Sequence, residues 1–227
     1  MDFGVDSNVP TISAEDRERL TALYEPLTQA VRDLIDATIR TEADGDTIRD
    51  ACTAVQAVTE RLRHPPLSAS TGVRYVSDGR PLAWGNAVIG LRNPIAPPVI
   101  VQHAGGGRCW TEFHLGAAYE GPPGRVHGGV CALVLDHLLG EAASDGLSKP
   151  LFTGTITVKY LRGTPLGALR GEATVQRSEG IKTFVRGHLS DESGVTVEAE
   201  GVFILPAWAR PGAEADLGSD GSDAFDG

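Results

Sequence analysis

The chain has 227 residues, 41% hydrophobic and 22% charged, with a net charge of −10, as expected of an ordinary globular protein. No apolar run approaches the ~20 residues that span a bilayer, and the N-terminus lacks the shape of a signal peptide. No basic patch is available to displace counterions from nucleic acid, which argues against that partner.

The charge is unevenly placed. Residues 1–64 carry 13 acids against 7 arginines, and 207–227 carry five acids against Arg210, so that 65–206 is balanced. Cys52, Cys109 and Cys131 are odd in number and far apart. They give neither a disulfide framework nor metal-ligand spacing, and a reducing cytoplasm is the plain reading.

Residues 13–40 are expected to form a helix, opened by Ser13 and acids in the first turn, with apolar residues recurring at three and four. Pro26 should interrupt or kink it. A turn at 42–46 leads to a second amphipathic helix over 47–63, ended by His64-Pro65-Pro66. This helical extension over 1–64 reads as a packing or dimer-stabilising hairpin, or as a lid. A DNA-reading helix pair is disfavoured because the second helix lacks a basic face.

From 72 to 116 the pattern turns to β. GNAVIGL, PPVIVQHA and RCWTEFHLG are short β-rich runs, and Gly105-Gly106-Gly107 is expected to be a hairpin turn rather than a phosphate loop. A helix follows over 128–144, then four longer strands at 151–162, 168–178, 181–191 and 194–205, separated by turn residues. A helix followed by a strand meander is an α+β pattern, the helix lying on one face of an antiparallel sheet. The last residues lack periodicity, and 207–227 is expected to be a disordered acidic tail.

The stretch EGPPGRVHGGVCALVLDHLLG, residues 120–140, holds the chemistry. Apolar residues cover most of the helix circumference, so Asp136 is expected in a desolvated setting, where an unpaired carboxylate is costly. His127-Gly128-Gly129 stands at the helix start. Its glycines let the backbone approach a ligand, and its free N–H groups and the helix dipole suit an anion or a developing oxyanion. Asp136 lies seven residues past Gly129 on the same face, about 10 Å along the axis at ~1.5 Å per residue. That is too far for both to reach one carbonyl carbon. Pairing of two helices across a dimer removes the conflict by bringing Asp136 of one chain to Gly129 of the other. Adjacent helical side chains diverge by ~100°, so His137 does not form a dyad with Asp136 and reads as a packing or interface residue. Cys131 has no positioned histidine and reads as a small buried thiol.

EGPPGRVHGGVCALVLD followed by FTGTITVKYLRGTP resembles the hotdog-fold acyl-CoA thioesterases. The likeness is greatest to the PaaI-type group and the mammalian thioesterase-superfamily members sharing EGPPG-x-x-HGG. Five features fall in register: the 120–124 loop, the 127–129 triplet, Asp136, Thr153 and Tyr160. The likeness covers roughly 80–205.

It implies a hotdog fold, an antiparallel sheet wrapped around a central helix, in a domain over 65–206. The implied activity is hydrolysis of acyl-CoA thioesters without metal or redox cofactor, by a homodimer or dimer of dimers. It further implies that the Gly129 N–H polarises the thioester carbonyl and that Asp136 acts as general base or as nucleophile. Thr153 would hydrogen-bond the water or Asp136, and His127 would seat the thioester. Some relatives carry an Asn six residues before the histidine, where this chain has Gly121. A catalytically silent hotdog module that senses acyl-CoA or an acyl carrier is the alternative. A hotdog hydratase is disfavoured because its Asp/His arrangement is absent.

Overall fold

The computed structural model describes residues 10–64, 76–77 and 80–210. Most of the expected acidic tail, 211–227, therefore lies outside the described residues. The chain divides into two compact units. One comprises Val5–Asn86 with Leu91–Pro94, the other Met1–Gly4, Ala87–Gly90 and Ile95–Gly227.

The first unit contains α1 (Ala14–Arg40), α2 (Gly45–Leu62) and a short β-ladder of β1 (Val76–Ser77) with β2 (Arg80–Pro81). Ser13 caps α1 by accepting from the Asp16 N–H, and Asp44 caps α2 through the N–H groups of Asp46 and Thr47. Contrary to the expected break, α1 continues through Pro26. Proline costs one helical hydrogen bond and a local clash. Here the long run of helical residues on either side outweighs that cost. Arg92 lies over the Tyr24 ring at 3.8 Å, and Tyr24 meets Trp84 at 6.2 Å between ring centroids. These contacts are the aromatic centre of this unit. Leu23, Leu34, Ile39, Ile48, Val58 and Leu62 are all exposed, so the apolar stripes legible in both helices are largely open to water.

The second unit is a six-stranded antiparallel sheet with one helix on it. Its strands are β3 (Gln102–His103), β4 (Arg108–Leu115), β5 (Phe152–Tyr160), β6 (Gly167–Glu179), β7 (Lys182–Asp191) and β8 (Gly194–Ile204). They run in the order β3-β4-β6-β7-β8-β5, leaving β3 and β5 as edges. The helix α3 spans Gly128–Ala143. This is the expected hotdog arrangement.

The sequence explains why α3 sinks into the sheet. Leu138 and Leu139 are fully buried, and the strands beneath them carry Gly171, Gly187 and Gly201. A Cβ on Gly171 would stand 2.5 Å from Leu138 Cδ1, and one on Gly187 would stand 3.1 Å from Leu139 Cδ2. Absent side chains on three neighbouring strands make the trough that the leucines fill. Each fully buried leucine contributes about 1.5–3 kcal/mol of burial. Val134, Leu135, Leu189, Val197 and Phe203 complete the core.

The hairpin expected at Gly105–Gly107 is present between β3 and β4, with all three glycines at positive φ, a region β-branched or bulky residues avoid. The β-rich run GNAVIGL forms turns instead of a strand, and only Gln102–His103 of PPVIVQHA pairs. The Asn93 side chain donates to the Asn86 carbonyl at 3.2 Å, closing that segment as a loop. Pro94, Pro97 and Pro98 remove ladder donors from the segment leading into β3.

α3 is not covered on every side, which corrects the reading of its composition. Leu133 is 37% exposed, Gly129 is exposed, and Val130, Asp136 and Gly140 are half-buried. One sheet covers one face of a helix. Residues 129, 133, 136 and 140, spaced by four, three and four, form the opposite face. The edge strand β5 continues this open surface, with Phe152 and Tyr160 each 53% exposed.

Candidate active site

The loop before α3 is built by its own residues. Glu120 accepts from the Gly124 N–H at 2.6 Å, Gly121 N–H donates to the Arg125 carbonyl at 2.9 Å, and Arg125 N–H donates to Pro122 O at 2.8 Å. Gly124 takes φ +70, which explains a glycine at the end of EGPPG. Val126 N–H bonds the Thr164 carbonyl and His127 N–H the Tyr119 carbonyl, each at 2.9 Å, fixing where the helix begins.

Gly121 has its own reason. A Cβ there would come within 2.8 Å of His127 Cα, so an asparagine at this position would displace the backbone of the His-Gly-Gly turn.

His127 is the N-cap of α3, and its Nδ1 accepts from the Gly129 N–H at 3.0 Å. That N–H, the expected oxyanion donor, is thus occupied by an imidazole nitrogen. The Tyr160 hydroxyl donates to the Gly128 carbonyl at 2.8 Å, tying the turn to the end of β5.

At the other end of β5, Thr153 Oγ1 donates to Asp136 Oδ1 at 3.0 Å. Two residues 17 apart in sequence meet on the open face of α3. Asp136 is half-buried rather than enclosed, standing on the face of α3 opposite the sheet. His127, Gly129, Asp136 and Thr153 therefore belong to one surface made by α3 and β5, but not to one cluster. The Asp136–Thr153 pair and the His127–Gly129 turn stand about two helical turns apart, roughly 10 Å by the helical rise.

A second group, not assigned from sequence, surrounds Glu141, which is buried. His137 Nε2 meets one carboxylate oxygen and His103 Nε2 the other, both at 3.2 Å. His137 packs within the protein, bonded to this glutamate and away from Asp136. The spacing of four between His137 and Glu141 on a helix was visible, but their link to His103 on β3 was not. Each imidazole takes its own oxygen, and among the described residues no set of three His, Cys, Asp or Glu side chains is placed to hold a metal ion.

Cys109 is buried, and burial with the nearby Glu141 carboxylate pushes its thiol up to about 12. Burial also raises the Cys131 thiol, whose Sγ lies 3.7 Å from Thr164 Oγ1. Cys52 is exposed. Native protein should therefore release one equivalent of thionitrobenzoate from DTNB at pH 8, and unfolded protein three. Rapid reaction of all three thiols in the native state would contradict the burial of Cys109 and Cys131.

Among the described residues no helix is long and apolar enough to cross a membrane.

Residues 123–198 match the family model of the thioesterase superfamily. Over 97 residues the chain is 36% identical to the acyl-coenzyme A thioesterase THEM4 of Xenopus laevis. That match takes in 40% of this chain and 42% of the frog protein, so the chain spans less than half the length of this curated relative. A crystal structure of a thioesterase superfamily protein is 32% identical with a TM-score of 0.69, covering 80% of this chain and 90% of that one.

Proposed function

The chain belongs to the thioesterase superfamily, and from that premise we propose that it hydrolyses acyl-CoA thioesters to the free acid and coenzyme A. The observation that carries the mechanism is the Thr153–Asp136 hydrogen bond, which fixes one oxygen of a half-buried carboxylate on the open face of α3. A water held there gives its proton to Asp136 while its oxygen attacks the thioester carbonyl. The carbon–sulfur bond then breaks, and the proton passes to the departing thiolate. In the other version Asp136 attacks directly, and water cleaves the resulting anhydride.

The oxyanion needs a donor, and the Gly129 N–H at the positive end of α3 is suited to it. Because Asp136 and Gly129 lie too far apart in one chain, the site is shared between two subunits. The uncovered face of α3 and the free edge of β5 support this, since both are surfaces a second copy would cover. His127 releases the Gly129 N–H when the thioester oxygen takes its place, and it seats the thioester.

One observation favours a second reading, a module that binds acyl-CoA without cleaving it: the oxyanion donor is capped by His127. A DTNB assay across acyl-CoAs separates the two, with release of coenzyme A expected. Binding without release of coenzyme A from any acyl-CoA would leave the binding module as the function.

Thr153→Ala removes the donor to Asp136 but leaves the base. We expect kcat to fall about 10- to 100-fold, since losing one hydrogen bond to a charged group costs about 1.5–3 kcal/mol. KM should stay within twofold, and steady-state kinetics measures both. An unchanged kcat would remove Thr153 from the site.

A further inference from the structure

Tyr160 is used by neither version of the mechanism, yet its hydroxyl donates to the Gly128 carbonyl oxygen at 2.8 Å. That oxygen and the Gly129 N–H belong to one peptide group. The ring lies against the same group. A Cβ on Gly128 would stand 3.3 Å from Tyr160 Cε1 and 3.4 Å from its hydroxyl oxygen, so the glycine gives the ring its place. At the other end of this peptide the N–H is taken by His127 Nδ1 at 3.0 Å.

The strand is built to make this contact. Thr153 and Tyr160 are seven residues apart on β5, and in a regular strand an odd separation puts two side chains on opposite faces. A bulge between Thr153 and Thr155 changes the count. Thr153 pairs with Phe203 and Tyr160 with Val197, six residues apart on β8, and both partners are buried in the core. The extra residue thus returns Thr153 and Tyr160 to the face of the sheet that carries α3. It is Gly154, where a Cβ would meet Ile204 Cδ1 at 2.6 Å. The backbone just past Tyr160 is held as well, Leu161 N–H donating to the Thr196 carbonyl at 2.9 Å. One edge strand therefore holds the carboxylate at one end and the helix-start peptide at the other.

We propose that Tyr160 is a positioning residue for thioester hydrolysis: by donating to the Gly128 carbonyl oxygen it aims and polarises the peptide whose N–H meets the developing oxyanion. The inference rests on the thioesterase reading and on Gly129 as the oxyanion donor. Electron density drawn toward the carbonyl oxygen leaves the N–H of the same group more positive, and hydrogen bonds chained in this way strengthen one another by roughly 10–30%. The contact also fixes the plane of the peptide, and an oxyanion donor acts by being aimed before the charge develops. No bond is made or broken at Tyr160, and its hydroxyl keeps its proton.

The test uses the full chain as wild type and Tyr160→Phe, which keeps the ring against Gly128 and removes only the donor. Losing an oxyanion donor outright costs about 10²–10³-fold in kcat, so a donor left in place but no longer aimed should cost about tenfold. KM should stay within about twofold, because the interaction strengthens only as charge develops on the oxygen. A second measurement reads the peptide without catalysis. Glycine labelled with ¹³C at the carbonyl and ¹⁵N at the amide selects Gly-Gly peptides in the NMR spectrum, and the chain has three, at 105–106, 106–107 and 128–129. Tyr160→Phe should move the 128–129 resonances, leave the other two in place and melt close to wild type. A wild-type kcat in Tyr160→Phe, or a fall in kcat with the 128–129 resonances unmoved, would overturn the positioning role and leave the hydrolase. Resonances that move in a protein cleaving no acyl-CoA would overturn the hydrolase reading, with the peptide still held by Tyr160.

Discussion

Asp136→Asn should lower kcat on acyl-CoA by on the order of 10²–10⁴-fold, the contribution of a positioned general base, with KM nearly unchanged. The substitution keeps shape and size, and Thr153 Oγ1 can still donate to the amide oxygen as it does to the carboxylate at 3.0 Å. Only the ability to take a proton or attack a carbonyl is lost. Since Asp136 is half-buried rather than sealed in the core, the neutral side chain has access to water and should not destabilise the fold. The melting temperature should therefore match wild type. Steady-state kinetics on several acyl-CoAs, with a thermal melt of each preparation, checks both halves. A variant with wild-type kcat would sink the role of Asp136. A variant that is inactive because it is unfolded would be exposed by the melt, and Asp136→Ser would then repeat the test with a small polar side chain.

The parts of the fold that were legible in the sequence are those set by local pattern. The α3 helix and the four long strands follow from apolar periodicity bounded by turn residues, and their ends match within about two residues. The candidate site residues stand out in the sequence by their spacing, nine residues from His127 to Asp136 and a Thr153 at the head of the next strand, and the structure joins Asp136 to Thr153 by a hydrogen bond. What the pattern could not give is environment. A helix apolar around its circumference predicts a buried Asp136, yet the six-stranded sheet covers only one face of α3, and the carboxylate stays half-buried on the opposite face. The cap of His127 on the Gly129 N–H was hidden for a related reason. The same residues that make an anion site can satisfy it internally, and only coordinates distinguish the two. The His103–Glu141 pair spans 38 positions and leaves no local signal. GNAVIGL failed in the opposite direction, since β-rich composition makes a strand only where a neighbouring strand is available to pair.

Activity regained by mixing two inactive variants is the result expected of a site shared between subunits. Asp136→Ala alone lacks the base in both sites of a dimer. Gly129→Pro alone lacks the oxyanion donor in both, because proline carries no N–H. Proline is tolerated in the first helical turn, and Gly129 is the second residue of α3. The added ring atoms do crowd His127, since a Cβ at this position would lie 3.2 Å from its Nδ1, so the imidazole must shift. After unfolding and refolding together in equal amounts, half of the dimers should be mixed. Each mixed dimer combines Asp136 of the Gly129→Pro subunit with Gly129 of the Asp136→Ala subunit in one intact site, while its other site lacks both groups. The mixture should therefore recover about a quarter of wild-type activity, as two-fold symmetry dictates for random pairing. If each chain instead used its own Asp136 and Gly129, every site in the mixture would still lack one group, and activity would stay at the level of the separate variants. Sedimentation of the mixture is the necessary companion measurement. Dimers without regained activity would place the site within one chain, which the ~10 Å separation along α3 could accommodate only if another donor served the oxyanion. A monomer that turns over acyl-CoA would remove the shared site altogether, and the open face of α3 would then need a different covering.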